Sequence, residues 1–317
     1  MKKISIIIPV YYNEENLIPL YEDLKEKVLD QLVRYDFDYE IIFVDDGSGD
    51  HSFQVMTDLA EKDEKIVNLR LSRNFGSHAA VLAGLSVCTG CCATMKAADL
   101  QEPSEMILEM IEKYLEGNKV VLAVREGREE GFSQRFFANA YYFLVKKIAL
   151  KEMPRNGFDC YLIDRKVIDV LNLMEEKNTA LTGQILWSGF QRAEVRYVRK
   201  KRNIGKSRWT LGKKYKLVVD SLLGFSYFPI RFISSIGVLM FFGAFIWMVF
   251  LLINKLSGKI PVTGYTTLAI LLLGGFGIVM LSLGVLGEYL WRMFDAARNR
   301  PPYIIDENSK KKDPILK

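Results

Sequence analysis

The sequence predicts an α/β fold: a mostly parallel sheet with helices on its faces, followed by helices long enough to cross a membrane. Three observations predict it. Up to about residue 225, short apolar runs alternate with segments of helical periodicity, which is the rhythm of βα units. Polar and charged residues collect where the apolar runs end, and in open α/β sheets ligands bind at the carboxyl ends of strands. After Pro229 the composition becomes mostly apolar, with two stretches long enough to span a bilayer.

The 317 residues, 50% of them hydrophobic, suffice for one large domain or two smaller ones. The apolar run at 4–8 reads as a central parallel strand ended by Pro9. A polar turn, Tyr11-Tyr-Asn-Glu14, then leads into a helix marked by Leu17, Leu20, Leu24 and Val28. Residues 39–44 form the second strand, ending in Asp45-Asp-Gly-Ser-Gly-Asp50. Asp45 can accept from a base or a ribose hydroxyl. Asp46 or Ser48 can cap the next helix, expected over 52–61. No G-x-G-x-x-G follows the first strand and no G-x-x-x-x-G-K-[ST] occurs, which argues against a dinucleotide Rossmann site and a P-loop NTPase.

A third strand at 67–71 is followed by Ser72-Arg-Asn-Phe-Gly-Ser-His78 and a small-residue helix over 79–87. Of the only two histidines, His78 could be a catalytic base but reads more readily as a capping or packing residue, and His51 invites a role even less. The fourth strand, 91–95, leads into Lys96-Ala-Ala-Asp-Leu-Gln-Glu-Pro103. A carboxylate there, Asp99, can hold a divalent cation and through it a diphosphate, or it can cap the following helix, whose apolar positions are Met106, Ile107, Met110 and Ile111. The fifth strand, 119–124, ends at Arg125, which faces the same crevice.

Residues 133–150 form an amphipathic segment with Arg135 near its start. A strand at 157–163, helices at 164–174 and 182–190, and an edge strand at 194–198 follow. The basic run Arg199-Lys-Lys-Arg-Asn-Ile-Gly-Lys-Ser-Arg-Trp209 is either a solvated charge run, a clamp over phosphates or a contact with anionic lipid. Residues 211–228 suit a helix lying in the membrane interface, and 230–253 and 265–291 are the two expected spans. The Lys/Arg excess places the amino-terminal domain and the tail in the cytoplasm. Cys88, Cys91, Cys92 and Cys160 lack zinc spacing and read as small buried residues in a reducing compartment. The apolar part of the amino terminus is too short for a signal peptide.

The ordered set Pro9-Val-Tyr-Tyr-Asn-Glu-Glu-Asn-Leu17, Val44-Asp-Asp-Gly-Ser48, Leu71-Ser-Arg-Asn-Phe-Gly76, Ala98-Asp-Leu-Gln-Glu-Pro103, Asp164-Arg165 and Arg202-Asn-Ile-Gly-Lys-Ser-Arg208 resembles family 2 polyprenyl-phosphate glycosyltransferases. Dolichyl-phosphate mannose synthases and bacterial undecaprenyl-phosphate glucosyltransferases are of this kind. The resemblance implies a GT-A catalytic domain over 1–210, a juxtamembrane helix over 211–228, a two-helix membrane domain over 229–292 and a basic cytoplasmic tail over 293–317. It implies a UDP- or GDP-linked sugar donor, a polyprenyl phosphate acceptor and Mg²⁺ or Mn²⁺. A homo-oligomer is compatible with it, and nucleic acid is not a partner.

By position in those motifs, Pro9, Tyr11, Asn13, Glu14, Asp45, Asp46, Ala97, Ala98 and Gln101 would line the donor site. Asp99 would hold the metal. Arg125, Arg202 and Arg208 would sit on the diphosphate, and Arg128, Arg135 and Asn139 on the acceptor phosphate. Two departures stand out. The family commonly reads Asp-Ala-Asp where this chain has Ala97-Ala98-Asp99, so one acidic ligand is missing. Tyr12-Asn13 stands where Asn-Glu is usual. Two other readings remain. A processive polysaccharide synthase would carry Q-x-x-R-W and more spans, and neither is present. A non-catalytic nucleotide-sugar-binding membrane subunit would explain Ala97.

Overall fold

The computed structural model describes residues 1–127, 152–154, 157–174, 180–200, 226, 228–256 and 264–310. It divides into two compact units, Met1–Ser221 with Arg300–Lys317, and Leu222–Asn299.

The first unit is built on β1 (Lys2–Val10), β2 (Phe37–Asp45), β3 (Ile66–Leu71), β4 (Cys92–Met95), β5 (Val120–Gly127), β6 (Phe158–Asp164), β7 (Arg192–Val198) and β8 (Ile305–Asn308). They form one sheet in the order β7-β5-β6-β4-β1-β2-β3-β8. The expected α/β architecture is therefore present as a mixed sheet. β1 through β4 are parallel, β6 runs against both β4 and β5, and β7 is parallel to β5. The helices between strands are α1 (Glu14–Lys27), α2 (Ser52–Lys62), α3 (Ser77–Val87), α4 (Met106–Leu115), α5 (Arg165–Leu173) and α6 (Leu181–Trp187).

The core follows from the apolar runs. Ile4, Ile6 and Ile8 of β1 pack with Leu17, Leu20 and Leu24 of α1 and with Met106, Met110 and Ile111 of α4. A proline in so central a strand needs an explanation. The Ile7 carbonyl accepts from Lys96 N on the β4 side, and the Val10 carbonyl accepts from Asp46 N on the β2 side. Alternation then turns Pro9 toward β4, whose pairing with β1 ends at Ile7, so its missing N–H breaks no ladder bond.

In the amino-terminal half of β2, buried Glu40 accepts from Ser5 Oγ (2.6 Å), Thr89 N (2.6 Å) and Thr89 Oγ1 (2.8 Å). Burial pulls its pKa up, but these donors outweigh burial and leave it lowered. A lowered folded-state pKa gives stability that is present above the unfolded value of about 4.3 and lost as pH falls through the folded value. Glu40→Gln is expected to cost about 1–3 kcal/mol at neutral pH. It should also flatten the acid limb of a Tm-against-pH curve. An unchanged acid limb would show that this carboxylate does not set it.

β8 was not expected, since the sequence there reads as the start of a polar tail. It pairs antiparallel with β3 and covers that edge of the sheet. The four cysteines are free, three of them buried and Cys91 half-buried.

The second unit contains α7 (Phe228–Leu256) and α8 (Tyr265–Ala297). Among the described residues one stretch, Gly274–Ala297, is long and apolar enough to cross a membrane, with a mean hydropathy of 1.4. The apolar helix Ile230–Met240 is shorter than that requirement. The interface helix expected over 211–228 lies outside the described residues except at 226 and 228. Most of the connection between the two helices, residues 257–263, also lies outside them, as does the tail beyond Lys310.

Candidate active site

The strand directions bring the carboxyl ends of β1, β2, β3, β4, β5 and β7, and the start of β6, to one edge of the sheet. The residues there fall into two groups.

The first group surrounds Asp45. This fully buried side chain accepts from Ser48 N through Oδ1 (3.0 Å). Its Oδ2 is buried without a hydrogen bond, and Arg70 Nε stands 3.5 Å away. The loop around it is tightly tied. Tyr12 N donates to Ser48 Oγ (3.0 Å), Asn13 N to Ser52 Oγ (2.9 Å), and Tyr11 N to Asn13 Oδ1 (3.0 Å). Tyr12 sits at φ 54°, unusual for a non-glycine residue, and its ring meets that of Tyr11 edge-on at 4.7 Å. Gly47, at φ +70°, lets this loop approach the next one: a Cβ there would lie 2.7 Å from the Arg73 carbonyl carbon.

Asp46 accepts from Phe75 N (2.7 Å) and Gly76 N (2.9 Å), tying the loop after β3 to the end of β2. Glu14 accepts from His51 N (2.8 Å). Asn13, Glu14 and Asp46 thus brace the loops, while Asp45 presents the open acceptor. Neither Asp46 nor Ser48 caps α2; Ser52 N donates instead to Asp50 Oδ1 (3.2 Å).

The second group surrounds Asp99. The cap of α4 is Glu105, so Asp99 is not the capping residue of that helix. Its Oδ1 accepts a long bond from Gln101 N (3.3 Å), and Leu100 between them takes φ 57°. Left-handed backbone at a branched residue is costly and recurs where a loop is held for function. Ala97 is half-buried, whereas Ala98 is buried in the core. Fully buried Lys96 donates to the Glu102 carbonyl, closing the loop from inside.

Arg125 is 5% exposed and pairs with Asp159 at the start of β6. Arg199, just after β7, reaches Asp159 (4.0 Å), Glu102 Oε1 (3.6 Å) and Gln101 Oε1 (2.8 Å). Gln101 also meets the Lys200 backbone in both directions, donating from Nε2 (3.2 Å) and accepting at its carbonyl from Lys200 N (2.8 Å). Asp99, Gln101 and Arg125 therefore belong to one connected cluster.

The cluster also contains four residues that the sequence does not single out: Lys96, Glu102, Asp159 and Arg199. Glu102 stood inside the quoted Leu-Gln-Glu-Pro stretch. Asp159 was hidden in an apolar strand, and Arg199 in a charge run. Burial pushes the Glu102 carboxyl above its usual range, the Asp99 charge adds to this, and Arg199 and Lys96 offset only part of it. Arg128, Arg135, Asn139, Arg202 and Arg208 lie outside the described residues.

The model of the glycosyl transferase family 2 domain matches residues 5–171, the span that carries the first group and all of the second except Arg199 and Lys200. The chain belongs to this family. As a family 2 glycosyltransferase it has relatives along nearly its whole length. It is 38% identical to the uncharacterized glycosyltransferase YkcC of Bacillus subtilis, over 96% of this chain and 93% of that one. It is 35% identical to the SfII prophage-derived bactoprenol glucosyl transferase of Shigella flexneri, over 96% and 98%. It is likewise 35% identical to the prophage bactoprenol glucosyl transferase homolog of Escherichia coli, over 96% and 98%.

Whether this family 2 enzyme can hold a divalent cation depends on its donor set. Among the described residues no three His, Cys, Asp or Glu side chains are grouped as a metal site. Asp99 is the one acid of its motif, and the Ala97 methyl replaces the other. One carboxylate completed by diphosphate oxygens and water is a set that Mg²⁺ accepts. The residues present fit a cation that arrives with the donor rather than one caged by protein.

Proposed function

We propose that this enzyme transfers a sugar from a UDP- or GDP-linked donor to a polyprenyl phosphate at the cytoplasmic face of the membrane. The observation that carries the reading is the division of the sheet edge. A buried, open acceptor at Asp45 suits a nucleoside, and a cluster of Asp99, Arg125, Asp159 and Arg199 beside it suits a diphosphate. The relatives named as bactoprenol glucosyl transferases support a lipid-phosphate acceptor. The long apolar surface of Gly274–Ala297, exposed in the protein itself, supports a membrane location.

In this reading a lipid-phosphate oxygen, anionic at neutral pH, attacks the anomeric carbon from the side opposite the leaving nucleoside diphosphate. The configuration at that carbon inverts. Such a nucleophile needs no strong general base. The leaving group does need positive charge, which the buried Arg125 supplies. Mg²⁺ or Mn²⁺ at Asp99, when bound, neutralises charge developing on the diphosphate. Arg202 and Arg208 would add to this charge, with Arg128, Arg135 and Asn139 holding the acceptor phosphate. Two spans, both termini in the cytoplasm and the domain boundaries at 210, 228 and 292 complete the proposal.

The test is incubation of the full chain with undecaprenyl phosphate and a panel of radiolabelled nucleotide sugars, followed by lipid extraction. A short, acid-labile glycolipid formed from one donor is the expected product. Polymer would indicate a processive synthase, and no product from any donor would indicate a binding subunit.

A further inference from the structure

We infer that Arg70 is a positioning residue for the nucleoside end of the donor, and that the carboxyl-terminal strand β8 holds it there through Glu307. The inference rests on Asp45 accepting from the nucleoside, as proposed above.

The registers alone line up the three residues. β2 pairs with β3 so that Asp45 lies opposite Arg70, and β3 pairs with β8 so that Arg70 lies opposite Glu307. Residues directly opposite on neighbouring strands share a face of the sheet. The side chains follow suit. Arg70 Nε stands 3.5 Å from Asp45 Oδ2, and its Nη1 donates to Glu307 Oε1 at 3.3 Å. Its guanidinium lies 4.9 Å from the centre of the Phe53 ring, which fixes its plane.

The distance to Asp45 matters. At 3.5 Å from Oδ2, the guanidinium compensates the buried charge without making the hydrogen bond that this oxygen lacks. The acceptor remains available to a ligand while its carboxylate stays aimed. Glu307 bonds Nη1, on the far side of the guanidinium. Without it, Arg70 can rotate inward to bond Oδ2 and compete with the donor, or outward to leave Asp45 uncompensated. Either movement weakens donor binding.

β8 has independent anchors. Ser72 N donates to the Ile304 carbonyl (3.0 Å), Ser309 N to the Asn68 carbonyl (3.0 Å) and Asn68 N to Ser309 Oγ (2.9 Å). Ile305 is buried. The strand therefore stays in place without the Glu307 charge. Glu307 is 52% exposed and Arg70 37%, so their ion pair adds little to stability in water. The two properties, holding Arg70 and holding the strand, can be separated.

The experiment uses the full chain in detergent, with calorimetric binding of UDP and GDP beside steady-state kinetics. Glu307→Gln is expected to weaken nucleoside diphosphate binding and raise the donor KM by about 3- to 10-fold, with kcat within about 2-fold and Tm unchanged. Arg70→Gln should do more, and Glu307→Gln should add nothing in that background, since its effect passes through Arg70. Arg70→Lys keeps charge but not the fork, and should fall between. Equal donor affinity in wild type and Glu307→Gln, with both binding UDP or GDP, overturns the inference and leaves the function intact. A loss of Tm and kcat without a change in KM also overturns it, because that marks β8 as structural only. If the wild type binds neither nucleotide, the reading of Asp45 falls, and the inference with it.

Discussion

Asp99→Ala is expected to abolish transfer, lowering kcat/KM by at least ~10³-fold, because it removes the only carboxylate left in its motif. The argument is geometric as well as electrostatic. Asp99 sits on a loop whose neighbour Leu100 is held at φ 57° and whose interior is closed by the buried Lys96. The structure thus spends backbone strain and a buried cation on presenting this side chain. Its hydrogen bond from Gln101 N, at 3.3 Å, is long, so losing it costs the loop little. Tm should therefore stay close to wild type while activity disappears. Asp99→Asn provides the sharper comparison, since it keeps the shape and removes the charge.

Ala97→Asp probes the same assignment from the other side. Ala97 is half-buried and stands two residues before Asp99, at the position of the missing acid. The expected outcome is a lower metal concentration for half-maximal activity, with kcat retained. Substantial activity in Asp99→Ala would show that the cation, if used, is held elsewhere.

The candidate site was legible in the sequence to the extent that strand ends were legible. Asp45, Asp99 and Arg125 each follow a short apolar run, and parallel strands bring such ends together whatever the loops do. Long-range order was harder to read. Residues 158–164 look like any other strand, and nothing local says that β6 runs antiparallel between β4 and β5. That reversal puts Asp159 at the start of its strand and yet at the same sheet edge as Arg125. Arg199 was hidden for a different reason: a run of basic residues gives no sign of which one is drawn inward.

β8 was missed because Ile305-Asp-Glu-Asn308 has one apolar residue and low strand propensity. Its pairing comes from an open sheet edge, a tertiary fact. Conversely, Asn13, Glu14 and Asp46 carried polar signals as strong as that of Asp45. Their use in bracing loops appears only when their backbone donors are known.

Arg125→Ala is expected to lower kcat by about 10²- to 10³-fold, the usual loss for removing a cation aimed at a leaving group. Arg125 is nearly as buried as an apolar core residue, and a cation is rarely buried without either a partner or a task. Asp159 is one partner, with its side chain 34% exposed. A diphosphate at the sheet edge would add another anion, whose charge arrives only with the donor.

This reasoning separates two outcomes. If Arg125 serves only to satisfy Asp159, then Asp159→Asn with Arg125→Ala should restore activity, because neither charge is left unpaired. If Arg125 acts on the leaving group, the double variant stays as slow as Arg125→Ala. Arg125→Lys should recover part of the rate, since the ammonium keeps the charge but cannot bridge two oxygens. The loss should fall on kcat more than on the donor KM, as for an interaction that strengthens in the transition state. A KM effect alone, with kcat retained in Arg125→Ala, would assign Arg125 to donor binding and leave the departing diphosphate to other cations.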